Sequence, residues 1–178
     1  MGADRWVPLA EVMRPHGVRG EVRLRPYNQE SDLLLGLDEV LVRLPDGEEH
    51  EVSVDAARRA NDAVLMKLHS VDDRDRADEL RGAVICARRG DFPPANPGEF
   101  YECDIEGARV FLDDGKAPAR EIGRVKAVRT YPTAQVLEVE DGAGGRPWEV
   151  PLVEGVVREV DVEGGRVTLS TREGVERG

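Results

Sequence analysis

Apolar side chains in this sequence return at alternate positions over short runs and then stop at turn-forming residues, a pattern that suits half-buried strands. In the segment Glu21 to Arg25, Val22 and Leu24 share one face while Glu21, Arg23 and Arg25 share the other. Val40, Val42 and Leu44 line up before an Asp46-Gly47 hairpin signal, and Val52 and Val54 resume the pattern beyond it. Val64, Met66 and Leu68 do the same. The unbroken apolar run from Ala83 to Ala87 suits a strand covered on both faces. One short helix interrupts: Asp72 or Asp73 can cap it, Ala77, Leu80 and Arg81 have helical spacing, and Gly82 can end it.

The clearest break is the stretch from Arg88 to Gly98, where Pro93, Pro94 and Pro97 with Gly90 and Gly98 forbid a continuing helix or a central strand. Beyond it the alternation resumes, with strands expected at Ala108 to Leu112, Glu121 to Arg129, Gln135 to Glu140, Trp148 to Val153 and Arg166 to Ser170. Turn chemistry separates them at Asp113-Asp114-Gly115, Asp141 to Gly145 and Gly164-Gly165. Many short strands at this spacing favour barrels or sandwiches. The expected organisation is an all-β chain of two small barrels, residues 1–90 and 99–172, joined by a proline-rich linker at 91–98 and followed by a polar tail at 173–178.

Charge limits the function classes. The formal net charge is −11, which argues against a general basic coat for nucleic acid, because neutralising phosphates takes clustered Lys and Arg. Residues 1–90 hold 14 basic and 18 acidic side chains, and residues 91–178 hold 11 and 18, so the nets are −4 and −7 and any RNA contact is local. Cys86 and Cys103 stand at no metal-ligand spacing and offer no disulfide framework, which fits a reducing cytoplasm. The start of the chain has no basic segment followed by an apolar one, and no run approaches the roughly 20 apolar residues of a membrane span. A cytoplasmic protein with no membrane partner is the expectation.

Catalytic and cofactor constellations are not found. Gly142, Gly144 and Gly145 sit in a turn between strands, with no following helix to hold phosphate. His16, His50 and His69 lack a second ligand at a metal-binding spacing. Cys86 lies in an apolar run, and Cys103 is flanked by Glu102 and Asp104, whose charge disfavours a thiolate. The reading is a protein that is not an enzyme, with no catalytic residues, no metal and no cofactor.

Three segments carry information. Residues 14–27 bring together Arg14, His16, Arg19, Arg23 and Arg25 with Glu21 the single acid, making the best basic patch available. It is either a barrel hairpin whose arginines pair with surface acids or an RNA contact led by Arg19 and Arg23. Directly after the linker, Phe100 and Tyr101 stand together although aromatics are only 4% of the chain. In a strand they point to opposite faces, so one can enter the core while the other serves as a protein-binding anchor; the alternative packs both rings between the domains. Arg124 and Lys126 share a strand face with Arg129 and Tyr131 nearby, which a solvated edge or a partner contact explains equally.

These residues are recognisable. The run from Arg14 through His16-Gly17-Val18-Arg19-Gly20-Glu21-Val22 resembles the N-terminal signature of the RimM family, His-Gly-Ile/Val-Arg-Gly-Glu-Val. Residues 72–82 are similar to that family's Asp-rich helix ending in Leu-Arg-Gly, Gly98-Glu99-Phe100-Tyr101 to its Gly-Glu-Tyr-Tyr, and Pro151 to its proline near the penultimate strand. The blocks stand in the family's order and span nearly the whole chain. The resemblance implies an N-terminal six-stranded translation-factor-like barrel carrying the helix, then a PRC-type barrel. It also implies a monomeric assembly factor that binds the immature small (30S) ribosomal subunit, contacts ribosomal protein S nineteen and 16S rRNA of the head, and promotes 16S rRNA processing. The family's aromatic pair for ribosome association maps onto Phe100 and Tyr101, with Phe100 lacking the usual phenol hydroxyl. A generic PRC-barrel interaction module and an RNA-processing enzyme are the rival readings.

Overall fold

A computed structural model describes residues 3–141 and 146–172 and the backbone of 176–177; the chain divides into two compact units, Met1–Pro93 and Pro94–Gly178. In the first, the alternating runs become β1 (Trp6–His16), β2 (Glu21–Pro26), β3 (Glu39–Arg43), β4 (Glu49–Ala60), β5 (Ala63–Leu68) and β6 (Val84–Arg88), with α1 (Arg74–Glu79) before the last strand. They form a closed barrel in the order β1-β2-β5-β4-β3-β6, closed because β6 pairs antiparallel with both β1 and β3. Closure removes the unpaired strand edges that invite aggregation. The inward positions Val12, Val22, Leu24, Val40, Val42, Val64, Met66, Leu68 and Ile85 are almost completely shielded from solvent. Each such side chain contributes about 1.5–3 kcal/mol relative to exposure.

Local chemistry sets the ends. The Asp73 side chain caps α1 by accepting from the Arg76 N–H at 2.8 Å, and Ala77 and Leu80 pack on the barrel core. Arg59 donates to the carbonyls of Gln29 and Ser31, both at 2.9 Å, and pairs with Asp32, tying β4 to the β2–β3 connection. Phe92, placed in the linker on sequence grounds, instead packs against this first core.

The second unit contains α2 (Glu102–Ile105), β7 (Arg109–Leu112), β8 (Arg120–Tyr131), β9 (Ala134–Glu140), β10 (Trp148–Pro151), β11 (Val157–Asp161), β12 (Arg166–Leu169) and β13 (Glu176–Arg177). Its sheet runs β11-β12-β7-β8-β9-β10-β13, antiparallel throughout except for the parallel pair β12–β7. Trp148 from β10 and Val160 from β11 pack on one core with Ile105, Val110, Leu137 and Leu169, so the sheet coils around a common interior. Among the described residues no ladder joins β11 to β13, and the ring of hydrogen bonds seen in the first unit is not completed here.

Three local expectations change. Phe100 and Tyr101 do not lie in a strand; they lead into α2, a second helix whose four residues are too few to show a period. Residues 176–177, read as polar tail, form β13 and pair with Trp148 and Glu149. Strand β11 was not anticipated. The glycine-rich turn expected at 142–145 and the rest of the expected tail fall outside the described residues.

Candidate functional site

The basic segment becomes the β1–β2 hairpin, with a tip at residues 17–20. Gly17 and Gly20 adopt φ of 65° and 83°, a region that L side chains rarely occupy. At Gly20 a Cβ would also collide with the Val71 carbonyl, so the tip lies directly on the backbone leading into α1. Arg74, the first residue of α1, donates from Nη1 to the Gly17 carbonyl at 3.0 Å. The tip is thus held from two sides, and Val18 projects from it with 75% of its surface exposed.

The four arginines of the segment do not share one environment. Arg25 donates to Glu11, its cross-strand partner, at 2.7 Å, and Arg23 to Asp62 at 3.1 Å. Arg58 of β4 adds a third pair, reaching Glu21 at 3.2 Å. Arg14 and Arg19 are exposed, and neither guanidinium has an ion pair or hydrogen bond among the described residues. A bulge between Val12 and Arg14 shifts the register so that Arg14 stands opposite Arg23, while exposed His16 stands opposite Glu21. The outer rim of the hairpin therefore presents Arg14, His16 and Arg19 to solvent, and the neighbouring acids are occupied by Arg23, Arg25 and Arg58.

The second candidate begins at a turn in which Gly98 takes φ 85° and the Glu99 N–H donates to the Asn96 carbonyl at 2.9 Å. Phe100 packs against the second core, whereas Tyr101 is half-buried at the N-terminal end of α2. Ile105, 1% exposed, pins the helix to the sheet. The tip of the β8–β9 hairpin reaches the same place: Thr130 Oγ1 donates to Glu102 at 3.0 Å, and Gln135 Nε2 donates to Thr130 Oγ1 at 3.2 Å. Beside it Tyr131, 47% exposed, donates its hydroxyl to Glu149 at 3.1 Å, and this bond to a carboxylate, reinforced by the carboxylate's charge, raises the phenol pKa. Tyr131 is visible in the sequence, but its neighbourhood leaves no local signal there, because contacts with α2 and β10, distant along the chain, set it.

On the distal half of β8 the cations are paired. Lys126 and Arg129 both reach Glu138 at 3.0 Å. The Lys126 hydrogen bond, with that of Arg129, holds the Glu138 carboxyl below its usual range against the opposing effect of desolvation. Cys86 is fully buried and burial pushes its thiol pKa up, which suits packing. No group of three or more His, Cys, Asp and Glu side chains suited to a metal ion occurs among the described residues.

Comparison with known proteins gives a consistent picture. Residues 7–92 match the family model of the RimM N-terminal domain, and residues 103–175 match that of the RimM PRC barrel domain. A ribosome maturation factor RimM from Sorangium cellulosum is 47% identical over 96% of this chain and 98% of its own length. Another, from Corynebacterium glutamicum, is 33% identical over 98% of both chains. A solved RimM structure from Pseudomonas aeruginosa, called a 16S ribosomal RNA processing protein, is 24% identical, covers 94% of this chain and 98% of its own, and has a TM-score of 0.46. With two family domains in order and relatives matched end to end, the chain belongs to the RimM family of ribosome maturation factors.

Proposed function

We propose that this chain acts by binding, without catalysis, as a cytoplasmic monomer that engages the immature small ribosomal subunit and promotes 16S rRNA processing. The rim of the β1–β2 hairpin, with Arg14, Arg19 and His16, meets 16S rRNA of the head, and Arg23 and Arg25 support it from within their ion pairs. The Phe100–Tyr101 segment docks on a ribosomal protein, S nineteen, with Tyr101 as the contact and Phe100 holding the segment to the core. Occupancy stabilises one conformer of the immature head, and release follows when mature contacts outcompete it.

The observation that carries this reading is the pair Arg14 and Arg19, two guanidiniums without a carboxylate partner among the described residues of a chain with net charge −11. A protein so rich in acids has partners to spare for a merely structural arginine. The acids around Tyr101, namely Glu99, Glu102, Asp104 and Glu106, suit a Lys- and Arg-rich protein partner. Pulldown of immature small subunits tests the docking half. Tyr101→Ala is expected to lower recovery at least tenfold while leaving the thermal midpoint near that of the parent; Phe100→Ala is read alongside because it also loosens the core. Undiminished recovery by Tyr101→Ala contradicts the docking site.

A further inference from the structure

The second unit, the more acidic half of the chain, carries a line of arginines that the reading above does not use. In the sheet register Arg166 of β12 stands beside Arg109 of β7, and Arg109 beside Arg124 of β8. Their neighbours Val167, Val110 and Val125 are buried, so the three arginines share the outer face. Adjacent strands lie about 4.8 Å apart, so three guanidinium side chains start within about 10 Å of one another. Like charges directly opposite destabilise a sheet. A row of this kind costs stability to the extent that neighbouring groups leave its charge uncompensated.

Their partners are few. Among the described residues, the one hydrogen bond of the Arg124 side chain goes to the Gly107 carbonyl, at 3.4 Å, and the one ion pair of Arg109 is with Glu121, at 4.0 Å. Arg166 donates to Thr168 at 3.4 Å and lies 3.9 Å above the ring of Phe111, with Arg109 5.5 Å from the same ring. Glu140 and Asp161 stand at the ends of the row in register with Arg124 and Arg166, yet neither forms an ion pair with it among the described residues. Asp161 instead accepts the Gly164 N–H at 2.8 Å within its own turn. The middle of the row is thus cationic, and Phe111 provides a ring face beside it.

We propose that Arg109, Arg124 and Arg166 form a second RNA contact on the PRC-barrel unit, a strip that takes phosphates of a single RNA strand. Guanidiniums suit this ligand because their planar donor forks match phosphate oxygens, and contact with a backbone leaves sequence unread. The inference rests on the reading that the chain works on ribosomal RNA, but it concerns residues separate from the hairpin.

Fluorescence anisotropy of the full chain with a short labelled single-stranded RNA, titrated between about 50 and 200 mM salt, tests it. The variant Arg109→Gln/Arg124→Gln/Arg166→Gln is expected to bind about tenfold more weakly, with a slope of log affinity against log salt flatter by about two, the value for three single-strand phosphate contacts. Unchanged affinity and slope in a folded triple variant overturn the proposal. If that variant does not fold, Arg124→Gln decides: a slope flatter by about 0.7 supports the strip and an unchanged slope overturns it. Parent chain that binds a polyglutamate peptide as tightly as RNA also overturns it, because carboxylates would then satisfy the row. Arg14→Gln/Arg19→Gln is measured in parallel. Loss in the row variant alone sinks the hairpin reading and keeps the strip; loss in the hairpin variant alone does the reverse.

Discussion

The β1–β2 hairpin and the distal half of β8 both present several basic side chains, yet they end in opposite states. On β8, Lys126 and Arg129 converge on a single carboxylate, Glu138, supplied by the neighbouring strand β9. On the hairpin, the carboxylates of Glu11, Asp62 and Glu21 go to Arg25, Arg23 and Arg58, leaving Arg14 and Arg19 on the rim. The two segments look alike in one dimension. What separates them is which carboxylates the neighbouring strands and turns bring within reach of each cation. Availability for a polyanion depends on which carboxylates the tertiary fold brings within reach, and local charge density predicts it poorly.

The sharpest way to break this contrast is to remove the support that presents the hairpin. Gly20→Val demands an unfavourable φ and drives a branched side chain into the Val71 carbonyl. Urea unfolding is expected to show a loss of about 3 kcal/mol, the upper range for a strained backbone position. A loss within experimental error would mean that the tip is free to move away from α1. Next in size, Arg14→Gln/Arg19→Gln should weaken binding to a 16S rRNA fragment about tenfold, equivalent to about 1.4 kcal/mol, at unchanged stability. Equal loss from Lys126→Gln/Arg129→Gln would erase the distinction between paired and unpaired cations.

The β8 side of the comparison is sharpened by Glu138→Gln, which releases Lys126 and Arg129. Two charged hydrogen bonds to a mostly covered carboxylate are worth about 1 kcal/mol together after solvent screening. The pH dependence has a definite sign. Because the folded carboxyl is held below the ordinary carboxylate value, its contribution is present above that value and is lost as pH falls through the lower folded one. Parent and variant stabilities should therefore converge on acidification below about pH 4.5. The same variant should gain RNA affinity if pairing alone silences β8. The smallest effect is expected from Asp62→Asn, which frees Arg23 and costs less than about 0.5 kcal/mol, with a steeper salt dependence of RNA binding as its readout.

Much of the fold could be read from alternation, and its failures have causes in particular residues. Strands β2, β3 and β5 sit where Val22 and Leu24, Val40 and Val42, and Val64, Met66 and Leu68 mark one face. Strand β1 escaped notice because the register shifts between Pro8 and Ala10 on one side and between Val12 and Arg14 on the other, so no simple period survives. Strand β11 carries a similar shift between Val157 and Glu159. The parallel pair β12–β7 joins segments far apart in sequence and has no local signature. At the candidate site, the sequence identified the basic segment and the aromatic pair. The split of its arginines into paired and unpaired, and the reach of Thr130 to Glu102, depend on tertiary contacts and were not legible.

Val18 offers the most direct test of the central claim, that the hairpin rim faces RNA. It is 75% exposed at the tip between Arg14 and Arg19, so Val18→Cys carrying a photo-crosslinker reports what lies against the rim. On immature small subunits the predicted result is a crosslink to 16S rRNA. A crosslink confined to ribosomal protein, or none from a chain that still binds the subunit, would contradict the account.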